Sequence, residues 1–293
     1  MFLIAVFSAW AQKLPRVHFK SILVDTHNDV LSGPILEGKD IFHELTPAES
    51  HSDLVRWRRR GVDVRFFSVC TDKTPRNKEV GDSNDKVMHK FFKDANQEID
   101  SLEAFTLRNY PRIVVAINYK QVKKGLRQKK LVALIGVEGS HMIEDDLANL
   151  DSLYSRGMRY MTLTWNNSTS WASSTMNETL SPLSFGDGQR MRPKGLTDFG
   201  KQVIKRMNEL GVIVDLSHVG EQTFYDALET ITKPVLLSHS FVWHICPVFR
   251  NVKDDQIKAV EKRGVICINF FPALLIQILQ RKWMSWLAMK GST

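Results

Sequence analysis

Residues 211–241, GVIVDLSHVGEQTFYDALETITKPVLLSHSF, hold the pattern that decides the fold. Val212–Val219 and Val235–Phe241 are apolar runs rich in Val, Ile and Leu, as buried strands are. Between them, Glu221–Ile231 has the apolar spacing of an amphipathic helix. Two strands joined through a helix run parallel, because a parallel connection needs a crossover. Each run closes on the same triplet, Leu-Ser-His, so His218 and His239 occupy equivalent places 21 residues apart, about one strand–helix unit.

The same alternation extends outward. Further strands are expected at Ile22–Val30, Val62–Cys70, Leu131–Val137, Tyr160–Trp165 and Gly264–Phe271, and further helices at Asn84–Arg108, Asp145–Arg156, Leu196–Leu210 and Asp254–Arg263. Gly211 is expected to stop the helix at Leu196–Leu210 and Gly264 the helix at Asp254–Arg263. Near-continuous apolar strands imply a sheet covered on both faces. An open doubly wound sheet and a (β/α)8 TIM-type barrel both fit, although seven strands fall one short of a closed barrel. No G-x-G-x-x-G follows the first strand, which weighs against a dinucleotide fold. After Pro272 the pattern breaks, and the tail reads as an amphipathic helix rather than another unit.

Composition narrows the function classes. With 293 residues, 43% hydrophobic and 25% charged, the chain has ample side chain for a core, which excludes general disorder. No run of 18 apolar residues occurs, so no transmembrane segment is expected. The net charge of +8 is spread along the chain apart from Arg56, Arg58, Arg59 and Arg60, and no nucleic-acid motif accompanies it; that cluster reads as helix surface. Cys70, Cys246 and Cys267 lack metal-type spacing; a Cys246–Cys267 bridge stays open. MFLIAVFSAWAQ over residues 1–12 is a short apolar run ending in Ala9-Trp10-Ala11, the pattern of a signal-peptide cleavage site, and points to an exported protein, though basic residues before the run are missing.

Several polar residues stand where such strands end. In VDTHNDV, His27 and Asp29 lie two apart, so strand alternation would put them on one face. In LVALIGVEGSH, Glu138 follows seven uncharged residues, and a carboxylate at the end of a buried strand must be paired, hydrogen-bonded or metal-bound. With His218 and His239 these make five side chains that would converge on one rim if the sheet closes. Imidazole and carboxylate are the ligand set of zinc and similar ions, and five donors suffice for two ions if Glu138 bridges them. The chemistry implied is hydrolysis of an amide or ester by a metal-activated water. Arg250, in the loop after the His239 strand, could clamp a substrate carboxylate. His141, three residues past Glu138, could support the site from outside the ligand set.

The segments VDTHNDV, DLVRWRRRGVDVRFFSVC, LIGVEGSHMI, RGMRYMTLTW, GVIVDLSHVG and PVLLSHSFVWHICPVFRNVKDDQIKAV, from about residue 22 to 272, resemble the membrane (renal-type) dipeptidases, a family of binuclear zinc peptidases. The resemblance implies a (β/α)8 barrel with its site at the carboxyl face. It implies that His27 and Asp29 ligate one Zn2+, that His218 and His239 ligate the other, and that Glu138 lies between them. It implies that Arg250 binds the terminal carboxylate of a dipeptide substrate.

Two departures accompany it. Where the family commonly has a histidine after the LTLT strand, this chain has Trp165, which can line a substrate pocket but cannot ligate. The family's eighth-strand Gly-Ser-Asp-Phe-Asp-Gly motif, source of its acid/base Asp, has no counterpart here, so the resemblance implies a barrel lacking its last strand, a truncated or frame-shifted end, and impaired activity. The expected organisation is a leader or remnant at 1–12, a metallo-dipeptidase barrel domain at 13–272 and a divergent tail at 273–293. The expected partner is a dipeptide, with no nucleic acid and with a homodimer left open. The rival readings are a non-catalytic metal-binding remnant and another metal-barrel amide or ester hydrolase.

Overall fold

The computed structural model describes residues 16–35, 37–71, 90–179, 195–261 and 263–268, so the expected leader and tail lie outside it. Eight strands run in chain order: β1 (Leu23–Asp25), β2 (Val62–Val69), β3 (Ile113–Val115), β4 (Leu131–Val137), β5 (Met158–Thr162), β6 (Ile213–Asp215), β7 (Val235–Ser240) and β8 (Gly264–Ile268). Nine helices accompany them among the described residues: α1 (Arg16–Lys20), α2 (Leu54–Arg59), α3 (Lys90–Arg108), α4 (Tyr119–Arg127), α5 (Leu147–Ser155), α6 (Thr175–Thr179), α7 (Asp198–Leu210), α8 (Glu221–Thr230) and α9 (Asp254–Val260).

The strands form one parallel sheet, ordered β1-β2-β4-β5-β6-β7-β8, with β3 attached to β4. The seven strands of this path are those expected from the apolar runs; β3 is the addition. It pairs with residues 131–133 of β4, while β5 takes residues 135–137, so the two share one edge of β4 and β2 takes the other. Three residues are too few to stand out as a run in sequence.

The sheet curls. Phe66 on β2, Tyr160 on β5 and Leu236 on β7 form one apolar cluster, although no two of these strands are neighbours. Just past β1, Thr26 Oγ1 donates to Ser238 O on β7 at 2.6 Å, which joins strands far apart in the path. Helices cover the outside, where residues such as Ile99, Leu102, Leu150, Val203, Met207 and Phe224 are buried in the main core. The class is therefore α/β, a curled parallel sheet wrapped by helices, as expected for a TIM-type barrel.

Local chemistry places the helices. Asp53, Asn118, Asp146 and Thr197 cap α2, α4, α5 and α7 by accepting from backbone N–H groups of the first turn. Gly211 ends α7 with φ +76°, in the left-handed region that glycine enters freely. Gly264 plays a different part from the one expected: α9 already ends at Val260, and Gly264 opens β8 where a Cβ would lie 2.5 Å from Val235 O. On α2, Arg56 pairs with Asp53 at 2.8 Å and Arg59 with Glu44 at 2.7 Å, which accounts for part of the basic cluster as paired helix surface.

Strand ends differ from expectation in one consistent way. Thr26–Val30, Leu163–Trp165 and Leu216–Val219 lie beyond β1, β5 and β6. Leu163 and Leu216 are as buried there as in any strand, so hydrophobicity cannot reveal where the ladder stops. Residues 84–89 of the expected third-helix region and 269–271 of the last strand fall outside the described residues. Cys246 is a free thiol among the described residues, and the side chain of Cys267 lies outside them. Among the described residues no helix is long and apolar enough to cross a membrane.

One contact inside the curl is tightly matched. A Cβ on Gly136 of β4 would lie 2.1 Å from Tyr160 Cζ. Gly136→Ala should therefore cost about 1–3 kcal/mol of unfolding free energy in a urea titration. An unchanged midpoint would mean that the Tyr160 ring is free to move aside.

Candidate metal centre

The five expected ligands all arrive from the carboxyl ends of strands or the loops just beyond. Glu138 directly follows β4, and its N–H donates to Val69 O of β2 at 2.9 Å. His239 lies on β7. His218 lies three residues past β6 with φ +67°, a left-handed backbone rarely adopted by side-chain-bearing residues. His27 and Asp29 lie beyond the end of β1, so strand alternation is not what unites them. A direct contact does, with His27 Nε2 3.0 Å from Asp29 Oδ1.

The side-chain tips converge. Glu138 Oε1 is 2.7 Å from His218 Nε2 and 2.9 Å from His239 Nε2. Its other oxygen, Oε2, is 3.6 Å from His27 Nε2. The Nε2 atoms of His218 and His239 are 2.9 Å apart, and the rings of His27 and His239 stack with centroids at 3.6 Å. His27, Glu138, His218 and His239 are buried, whereas Asp29 is exposed.

The far nitrogen of each ring has a partner, as metal-binding imidazoles usually do. His218 Nδ1 is 3.2 Å from Asn166 Oδ1, which can only accept, so Nδ1 carries the proton. Arg250 Nη2 is 2.8 Å from His218 Nε2, and a guanidinium can only donate, so Nε2 offers a lone pair. Both contacts favour the Nδ1–H tautomer, against Glu138 Oε1 at 2.7 Å from Nε2, a carboxylate oxygen that a proton or a cation at Nε2 would satisfy. His27 Nδ1 is 3.1 Å from Tyr160 OH, and His239 Nδ1 is 2.7 Å from Ser238 Oγ.

Charge follows from this packing. Burial, then the Arg250 charge, lowers His218 to about 4; burial, then the His27 charge, lowers His239 to about 3. Both are neutral near pH 7, as ligands must be. Burial alone would lower His27, but the Glu138 and Asp29 carboxylates raise it to about 9. Burial would raise Glu138, and the His27 charge holds it well below the usual carboxylate range. His27, Glu138 and His239 each bring a ligand atom within 4.8 Å of the others, and this nitrogen and oxygen set suits a divalent cation of the zinc type. Burial, then the Glu138 and Asp29 charges, pushes the nearby Cys70 thiol well up.

The remaining expected residues divide. Arg250 reaches the cluster through His218 and lines a cavity of about 420 Å3 with Ser240, Trp243 and Phe249. Trp165 is half-buried and does not line that cavity; it packs beside Gly139, where an added Cβ would lie 3.1 Å from Trp165 Cβ. His141 bonds through Nε2 to Thr71 O at 2.9 Å rather than to any cluster residue. Asn166, Tyr160 and Ser238 support the rings and were not singled out from sequence. For Ser238 a signal existed, since it lies inside the Leu-Ser-His frame.

Comparison with known proteins agrees with this geometry. The sequence profile of the membrane dipeptidases (peptidase family M19) matches residues 11–285. The chain belongs to that family of metal-dependent peptidases. Similar solved structures include the probable dipeptidase PvdM from Pseudomonas aeruginosa (TM-score 0.73, 21% identity, 88% of this chain and 62% of that one). Another is a metallo peptidase from Rhodobacter sphaeroides liganded with a phosphinate mimic of the dipeptide L-Ala-D-Ala (0.69, 21%, 87% and 75%). A third is an amidohydrolase from Pseudomonas aeruginosa (0.63, 18%, 86% and 63%). These likenesses show the shared fold, and the chain spans under two thirds of the length of both Pseudomonas proteins.

Asn166→Leu removes the acceptor that fixes the His218 tautomer. Zinc affinity, read by chelator competition, should fall about 10–100-fold. An unchanged value would show that the ring is held without it.

Proposed function

We propose that the chain is a zinc-dependent dipeptidase whose catalytic domain spans residues 13–272. The observation that carries this reading is the division of Glu138: Oε1 faces His218 and His239, while Oε2 faces His27, itself paired with Asp29. A carboxylate placed this way would bridge two cations, one held with His27 and Asp29 and the other with His218 and His239. Zinc bound by such donors lowers the pKa of a bound water toward neutral and polarises a carbonyl oxygen. The neutral His218 and His239 rings offer lone pairs, and Glu138 supplies the charge that two cations share. Arg250 would hold the carboxylate of a dipeptide at the mouth of the 420 Å3 cavity, a volume within the usual range for small ligands. Burial lowers its guanidinium only to about 10, so it stays charged at neutral pH. Trp165, packed beside Gly139, lies outside that cavity, so the substrate-lining place that the family resemblance suggests for it has no support from the cavity. No proton carrier is assigned among these residues.

Metal titration followed by hydrolysis of Gly-D-Ala and L-Ala-L-Ala tests the reading. We expect two zinc ions per chain and a loss of more than about 100-fold in affinity for Glu138→Gln, beyond the range for groups that only support a ligand. One ion, or none, overturns the binuclear site. Two ions without turnover of either dipeptide would leave a metal-binding protein rather than an enzyme, and turnover of lactones alone would favour the other hydrolase class.

Arg250→Ala should raise KM for a dipeptide far more than it lowers kcat, by about 2 kcal/mol of charge-assisted bonding or roughly thirtyfold. Equal loss in both constants would place Arg250 elsewhere in the reaction.

A further inference from the structure

Asp215, the last residue of β6, is fully buried and stands outside the set of five ligands. It receives four donors. The backbone N–H groups of Ser217 and Ser238 reach Oδ1 at 3.1 and 2.9 Å, and the hydroxyls of Thr162 and Ser238 reach Oδ2 at 2.7 and 2.6 Å. A carboxylate only accepts, so the single hydroxyl proton of Ser238 points at Asp215. Toward His239 Nδ1, 2.7 Å away, the same oxygen can then only accept. The ring proton of His239 then belongs on Nδ1, and Nε2, 2.9 Å from Glu138 Oε1, is left with a lone pair that a cation held between the two would satisfy.

We propose that Asp215 is a positioning residue for the metal centre: acting through Ser238, it fixes the tautomer and orientation in which His239 presents Nε2 to a cation. The inference rests on the metal reading above and adds a residue to it. Asp215 thereby links three adjacent strands, through Thr162 on β5, its own place on β6 and Ser238 on β7. In Asp215→Asn the amide oxygen must stay with the two backbone N–H groups, which cannot accept. The amide nitrogen then takes the Oδ2 place and donates to Ser238, whose proton turns to His239 Nδ1. The ring proton moves to Nε2 and opposes the cation.

Zinc affinities measured by chelator competition on the full chain decide the matter, with folding checked by circular dichroism. Asp215→Asn and Ser238→Ala should each lose about 10–100-fold, with Asp215→Asn the weaker binder, whereas Ser238→Thr, which keeps the hydroxyl, should stay within about threefold of the wild type. Thr162→Val removes the other hydroxyl on Oδ2 but not the path to His239, so it should lower thermal stability and leave zinc affinity unchanged. If Asp215→Asn does not fold, Ser238→Ala against Thr162→Val still decides. Wild-type affinity in Ser238→Ala, or an equal loss in Thr162→Val, overturns the relay while leaving the metal centre standing. Failure of the wild-type chain to bind zinc overturns the metal reading itself, and the relay with it.

Discussion

A carboxylate with no water around it has to find positive charge or hydrogen-bond donors, because burying it alone costs more than a fold of this size can supply. Glu138 is in that position, 3% exposed at the end of a central strand. Its surroundings answer that need. Three imidazoles come within 3.6 Å of its oxygens, from segments separated by up to about two hundred residues. Of these only His27 carries charge at neutral pH, since His218 and His239 are pushed to about 4 and 3. The buried Arg250 guanidinium adds a second positive charge beside the cluster, and a divalent cation held by these donors would have to displace the His27 proton, since a ligating imidazole is neutral.

The sheet makes this meeting feasible. Parallel strands present all their carboxyl ends on one side, so groups placed there are brought together whatever their distance in sequence. The registers fix how far each end projects: β2 and β4 pair residue by residue from Val64–Val132 to Val69–Val137, which sets Glu138 one step beyond. The curl then brings the β1 end against β7, as the Thr26 bond to Ser238 O records. Around the donors lies a layer of residues that hold rings rather than cations, namely Tyr160, Asn166 and Ser238.

Much of this could be read from the sequence, for reasons that differ by residue. His218, His239 and Glu138 stood out because each interrupts or follows a long apolar run, and a polar group there has few places to go. For His27 and Asp29 strand alternation predicts the right pair for the wrong reason. Their segment is a loop beyond a three-residue strand, and they meet by direct contact rather than by alternation. Asn166 and Asp215 left no trace, since a hydrogen bond spanning 52 or 23 residues has no period and no local pattern. The strand β3 was missed because three residues do not make a run, and the ends of β5 and β6 because buried loop leucines resemble buried strand leucines.

The left-handed backbone at His218 has a cost of its own. Such a conformation is disfavoured by roughly 1–2 kcal/mol for a residue with a Cβ, and glycine or asparagine would occupy it more easily. A histidine there is a compromise in which the apo scaffold is less stable than the same scaffold with a more permissive residue at that bend. The position is thus one where relaxation and chemistry pull in opposite directions: the chain would become sturdier by forgetting how to bind.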